Sequence, residues 1–160
     1  MKAVVLTAAR TIGVEERPMP VIGRNELLVK VKNCGICTLE QRLYSGAMVI
    51  GYPLVPGHEA TGEVVEVGPD VISDIKPGAR VALDMVVRCG ECYYCRSGQS
   101  NMCENRMKKG QRVLGGFAEY VAVKATQAHV IGDAVSYREA AFSEPLACCI
   151  RSLKKVGLKL

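Results

Sequence analysis

Half of the chain's 8 cysteines lie in one polar stretch, RCGECYYCRSGQSNMC, running from Arg88 to Cys103. Cys89, Cys92, Cys95 and Cys103 are spaced C-x2-C-x2-C-x7-C, with Gly90 and Gly98 between them to let the loop fold back. Thiols at this density suit a disulfide knot, a metal site or a set of reactive thiols. Four thiolates this close in sequence can wrap one tetrahedral Zn²⁺, and four soft ligands leave no coordination position open. Such a site orders a lobe that has too few aliphatic residues to order itself.

A second group is spread more widely. Cys37 stands in Cys34-Gly35-Ile36-Cys37-Thr38-Leu39-Glu40, and His58 and Glu59 stand in Pro56-Gly57-His58-Glu59-Ala60. These are single ligands on separate turns, so only the fold can bring them together. Taken alone, His58 reads equally well as a packed, hydrogen-bonded histidine. His129 reads as an exposed loop residue, and Cys34, Cys148 and Cys149 read as small buried hydrophobes.

The elements that must position these groups are short. Ala3–Leu6, Glu26–Val31, Gly62–Gly68, Ala79–Leu83 and Ala118–Val123 are rich in Val and Leu and bounded by Gly or Pro, with no regular helices predicted between them. This texture predicts an antiparallel sheet or barrel, hence a mainly β fold. After residue 135 the pattern changes. Ser136-Tyr137-Arg138-Glu139 has the form of a capping box, and Pro145 suits the first turn of a helix over Leu146–Val156 that Gly157 closes. Leu158-Lys159-Leu160 resumes an extended pattern, as a further strand would.

Composition decides among the thiol chemistries. With 160 residues and 49% hydrophobic content, the chain can bury one ordinary core without covalent staples. Arg10 and the Glu15-Glu16-Arg17 cluster break the opening apolar run before it could act as a signal peptide, and no apolar stretch approaches the ~18 residues of a membrane helix. The expected compartment is the cytoplasm, where clustered cysteines stay reduced and bind metal. The net charge of +5 includes a basic run from Arg106 to Arg112, but two Phe and no Trp give little for bases to stack on, so neither nucleic acid nor membrane is an expected partner.

With both cysteine-bearing groups in view, the sequence resembles the zinc-dependent medium-chain alcohol and polyol dehydrogenases. Gly57 to Val71 matches the signature G-H-E-x2-G-x5-G-x2-V, and the four-cysteine loop matches the family's structural zinc lobe in spacing. MKAVVLT, Lys76-Pro77-Gly78-Ala79-Arg80-Val81 and Gly115-Gly116-Phe117-Ala118-Glu119-Tyr120-Val121 are also typical of it. The resemblance implies a GroES-like partly open barrel with a zinc-binding lobe and C-terminal helices. It divides the chain into a catalytic domain at 1–135, with the lobe at 88–104, and a helical connection at 136–160 toward a Rossmann domain. No G-x-G-x-x-G occurs here, so NAD or NADP is expected to bind a domain this chain lacks, and the isolated chain is expected to be inactive.

Carried over position by position, the resemblance makes Cys37 and His58 ligands of a catalytic zinc, with Glu59 or Glu144 as the third, and Cys89, Cys92, Cys95 and Cys103 ligands of a structural zinc. A glutamate at position 144, where the alcohol-dehydrogenase branch has cysteine, favours the sorbitol and threonine dehydrogenase branch and a polyol, sugar or amino-alcohol substrate. Glu144 could instead merely cap its helix. Glu40 sits where the family has an Asp that supports the ligand histidine. Leu39 occupies the usual place of a proton-relaying Ser or Thr, which leaves Thr38, Glu40 or a water for that role. The full-length protein is expected to be a homo-oligomer. The rival readings are a stand-alone zinc-binding or interaction module and a GroES-like assembly protein without chemistry.

Overall fold

The structure is a computed structural model, and it describes residues 1–105 and 115–157. The basic run at Arg106–Arg112 and the Leu158–Leu160 segment lie outside the described residues. Among the described residues, seven strands and four α-helices follow in the order β1 (Lys2–Ala8), β2 (Thr11–Glu16), β3 (Glu26–Gly35), α1 (Thr38–Ser45), β4 (Glu59–Val67), β5 (Arg80–Leu83), α2 (Tyr93–Arg96), β6 (Tyr120–Lys124), β7 (Ala128–Val130), α3 (Tyr137–Ala140) and α4 (Ser143–Lys155). All five strands expected from the sequence are present. The short β2 and β7 and the eight-residue α1 are additions.

β1 and β2 form an antiparallel hairpin, and the main sheet is antiparallel in the order β6-β3-β4-β5-β7. The main sheet stays open, with β6 and β7 as its edges, so the barrel is only partly formed. β1 approaches it through bridges from Ala3 to Ala118 and from Leu6 to Leu54. Alternate residues on the sheet's inner face bury the main core: Leu27 and Val29 on β3, Val64 on β4, Val81 and Leu83 on β5, Val121 and Val123 on β6. Each such side chain contributes about 1.5–3 kcal/mol on burial. A smaller cluster joins Leu6 of β1 to Leu43 of α1, with Leu39 packed against it.

The pairing of β3 with β4 sets the geometry of the site. Gly35 lies opposite Glu59 and Cys34 opposite Ala60 at one end of the ladder. The chain therefore leaves β3 toward Cys37 and enters β4 from His58 at the same end of the ladder, although the two residues are far apart in sequence.

The C-terminal helices are tied to the sheet by polar contacts. Arg80, first in β5, donates to the carbonyls of Gly132 (3.2 Å), Asp133 (3.1 Å) and Val135 (2.5 Å), and its guanidinium lies 4.7 Å over the Tyr137 ring. Thr61, fully buried in β4, donates its hydroxyl to the Tyr137 carbonyl at 2.9 Å. The expected capping box is present: Ser136 Oγ accepts from the Glu139 N–H, and the Glu139 carboxylate accepts from the Ser136 N–H and hydroxyl. α4 begins two residues before Pro145, which therefore sits in its first turn as expected, where its missing N–H costs nothing. Cys148 and Cys149 are exposed, not buried, because α4 lies on the surface of the described residues and buries none of its own. Among the described residues, no helix is long and apolar enough to cross a membrane.

Candidate metal centres

The four cysteines of the loop lie around one point. Their sulfurs fall within 4.8 Å of one another, and all four cysteines are free. Cys89 Sγ is 3.6 Å from Cys103 Sγ and 3.9 Å from Cys95 Sγ. A disulfide needs about 2.05 Å, whereas a tetrahedron with Zn–S bonds of about 2.3 Å has edges of about 3.8 Å. The spacing fits a zinc ion and excludes a disulfide.

The loop's own backbone builds this cluster. α2 is a single turn starting at Tyr93, with Cys92 as its N-cap, and a 3₁₀ turn at Ser100–Met102 delivers Cys103, which is buried. The N–H groups of Cys92 and Cys89 donate to Cys89 Sγ and Cys103 Sγ, each at 3.4 Å. Backbone donors from Cys92 and Glu91 pull the Cys89 thiol down to about 6, while desolvation and the neighbouring thiols push Cys95 up to about 12. Four thiols this close cannot all ionise without a cation among them.

The second group converges at this end of the β3–β4 ladder. One donor atom from each of Cys37, His58 and Glu59 lies within 4.8 Å of the others. A thiolate, an imidazole and a carboxylate are a donor set suited to zinc, and three ligands leave a fourth position open.

Glu40 links the two segments. It is 6% exposed, and its carboxylate accepts from the Cys37 N–H at 2.9 Å, the Gly57 N–H at 3.2 Å and His58 Nδ1 at 2.8 Å. The longer glutamate arm thus reaches the histidine. With Nδ1–H donated to Glu40, Nε2 is the nitrogen left for a metal. Glu40 is also the third residue of α1, and it completes a capping box in which Cys37 is the N-cap and its sulfur accepts from the Leu39 N–H at 3.5 Å. This box escaped sequence reading because cysteine replaces the usual Ser or Thr. Gly57 is held at a φ of 95°, and a Cβ there would lie 2.5 Å from the Phe117 ring, so glycine is required beside His58.

Carboxylates dominate the electrostatics around the group. The Glu40 hydrogen bond raises His58 to about 9, and a metal on Nε2 would take the place of that ring proton. Burial opposes ionisation of Glu40, yet the donors from His58 and Cys37 hold it below the usual carboxylate range. Burial raises Glu144, and the nearby carboxylates of Glu59, Asp84 and Glu40 raise it further against the opposing pull of His58.

Glu144 is within electrostatic range of His58 but outside the converged group; its Oε1 accepts from the Cys148 thiol at 3.9 Å. It lines a cleft of about 750 Å³ between α4 and β5 that also includes Asp84, His129 and Arg151. Thr38 is exposed, with its hydroxyl 3.8 Å from Cys37 Sγ, while Leu39 turns away into the small core. His129 is exposed as expected, although it lies on β7 and not in a loop. Cys34 is half-buried beside Gly57 and Gly116, and desolvation pushes its thiol up to about 12. Sequence reasoning assigned no role to Thr61, and it noted Arg80 only within a motif.

The open sheet, the cysteine-rich lobe and the mixed-donor group at the end of the β3–β4 ladder together define a mainly β, metal-binding domain. Residues 23–133 match the family described as the alcohol dehydrogenase GroES-like domain. The chain belongs to that family. A sorbitol dehydrogenase from Halalkalibacterium halodurans is 36% identical over 161 residues, which cover 99% of this chain and 47% of that protein. Among solved structures, a protein from Sinorhizobium meliloti 1021 assigned as a zinc-binding dehydrogenase and bound to NADP superposes with a TM-score of 0.90 at 41% identity, over 99% of this chain and 46% of that one. An alcohol dehydrogenase from E. coli CFT073 complexed with NADH superposes with a TM-score of 0.88 at 36% identity, over 97% of this chain and 45% of that one. The chain spans about half the length of these relatives.

Proposed function

We propose that this chain is the catalytic domain of a zinc-dependent dehydrogenase that oxidises a secondary alcohol of a polyol, sugar or amino alcohol with NAD or NADP. The observation that carries the reading is the convergence of Cys37, His58 and Glu59 with His58 oriented by the buried Glu40. A zinc ion held there would supply Lewis acidity toward a substrate hydroxyl, and a bound nicotinamide would supply the hydride acceptor.

The chain's own residues do the rest. Cys37, His58 and either Glu59 or Glu144 hold the metal, and Glu40 fixes the ring of His58. Thr38, exposed and 3.8 Å from Cys37 Sγ, passes the hydroxyl proton toward solvent. Cys89, Cys92, Cys95 and Cys103 hold a second zinc that orders the lobe at 88–104. In this reading, residues 1–135 are the catalytic domain and 136–160 lead toward a nicotinamide-binding domain, so the 160-residue chain alone gives no turnover. The similarity to relatives that carry NADP or NADH and are about twice as long supports this division. A stand-alone zinc module needs only the cysteine lobe and gives no reason for the group at the end of the β3–β4 ladder.

The test is metal content and turnover together. The protein should bind two zinc ions, and Cys37→Ala with His58→Ala should remove one of them. Oxidation of a polyol panel with NAD or NADP should require the full-length protein. Full zinc content in the double variant would remove the chemical basis of the proposal.

A further inference from the structure

We infer that Thr61 and Arg80 form a latch that sets where Glu144 stands relative to Cys37, His58 and Glu59. The inference rests on the reading of that group as a metal site, and it assigns two positioning residues that touch neither metal nor substrate. α4 carries Glu144 in its first turn but buries none of its residues, so packing along its length does not place it. Its position is set at its N-terminal end. There, Ser143 Oγ donates to the Ala140 carbonyl at 2.7 Å, joining α4 to α3. α3 is held to the sheet by the Thr61 hydroxyl on the Tyr137 carbonyl and by Arg80, which grips three carbonyls at residues 132–135 and covers the Tyr137 ring.

The latch starts on the strand that carries the candidate ligands. Thr61 is two residues after Glu59 and three after His58, and it pairs with Ala82 of β5 two residues from Arg80. A short, stiff path therefore runs from the ligands through β4 to Tyr137, α3 and Glu144. A planar guanidinium can serve three carbonyls and a ring face at once, which the point charge of a lysine cannot. Neither residue is exposed to substrate through this role: Thr61 is fully buried, and the Arg80 donors are committed to backbone.

The test uses Thr61→Val, which keeps the side-chain volume, and Arg80→Lys, which keeps the charge. Two readouts separate positioning from general stability: backbone hydrogen exchange, and the absorption of cobalt bound in place of zinc, where the Cys37 thiolate gives a signature that Cys37→Ala abolishes. Each variant is expected to speed exchange at residues 137–147 at least tenfold while leaving β3 and β4 unchanged. Each should also weaken cobalt at the Cys37 site at least tenfold and leave the cysteine lobe loaded. Unchanged exchange in α3 and α4, or faster exchange with an unaltered cobalt signature, overturns the latch. If the unmodified protein shows no cobalt signal that Cys37→Ala abolishes, the metal reading fails, and exchange alone then decides whether the latch exists.

Discussion

The two candidate metal centres are assembled by opposite means. The four-thiol site draws every donor from fifteen consecutive residues, and its sulfurs are held by N–H groups of the same loop. The mixed site draws Cys37 from one turn and His58 with Glu59 from another, joined by β3–β4 register and by one buried carboxylate. The first is closed, soft and local; the second has mixed donors and an open position, and it depends on the whole sheet. Closed thiolate sites hold zinc by folding around it, whereas an open site keeps part of its affinity in reserve for a reacting ligand.

The largest effect should come from breaking the local site. Cys92→Ser removes one of four thiolates, and metal binding on the order of 10 kcal/mol is coupled to ordering such a lobe. Zinc content should fall by one, and residues 88–104 should become sensitive to protease while the sheet stays folded. An intact lobe with unchanged zinc would remove the structural site altogether.

Glu40→Ala tests the long-range site at its joint. Three donors lose their acceptor in a buried place, at a cost of about 3 kcal/mol, and the zinc of the mixed site should leave as well. Thermal unfolding and metal content measured together should both fall, whereas Cys92→Ser should leave the mixed site loaded.

Cys37→Ala should separate metal loss from stability. It removes a ligand and a helix cap worth about 1 kcal/mol. One zinc should be lost, with little change in melting temperature. Under a mild chelator, the unmodified protein should release the same ion at least tenfold faster than the lobe's ion, as expected for fewer and harder ligands in a more open site.

Gly35→Ala is the finest probe. A Cβ at this position would lie 1.9 Å from Glu59 Oε2, the mobile end of a side chain, so the carboxylate should swing away at a cost below about 1 kcal/mol. Loss of the mixed-site zinc would make Glu59 the third ligand. Retention would favour Glu144.

Residue types and short spacings carried much of this into view before the fold was known. C-x2-C-x2-C-x7-C predicts a cluster because a loop this short cannot keep its thiols apart, and alternating valines with Gly and Pro punctuation predicts the strands. Ser136 and Glu139 predict a helix start because a capping box is local chemistry. α1 was missed because its cap is a cysteine. β7 was missed because three residues on a sheet edge carry no periodicity of their own, and the exposure of Cys148 and Cys149 was missed because helical spacing does not say what covers a helix.

What the sequence determined by itself is therefore whatever closes within a turn or a loop: the thiol cluster, the capping box at Ser136 and the alternation of the strands. What only the tertiary structure decided is the meeting of Cys37 with His58 and Glu59, the reach of Glu40 to both segments, the turning of Leu39 into the core, and the place of Glu144 outside the group that converged. The physical reason is that these depend on strand register and on contacts between residues far apart in the chain. A shift of one residue in the β3–β4 ladder would turn every side chain to the other face and part the ligands without changing any motif.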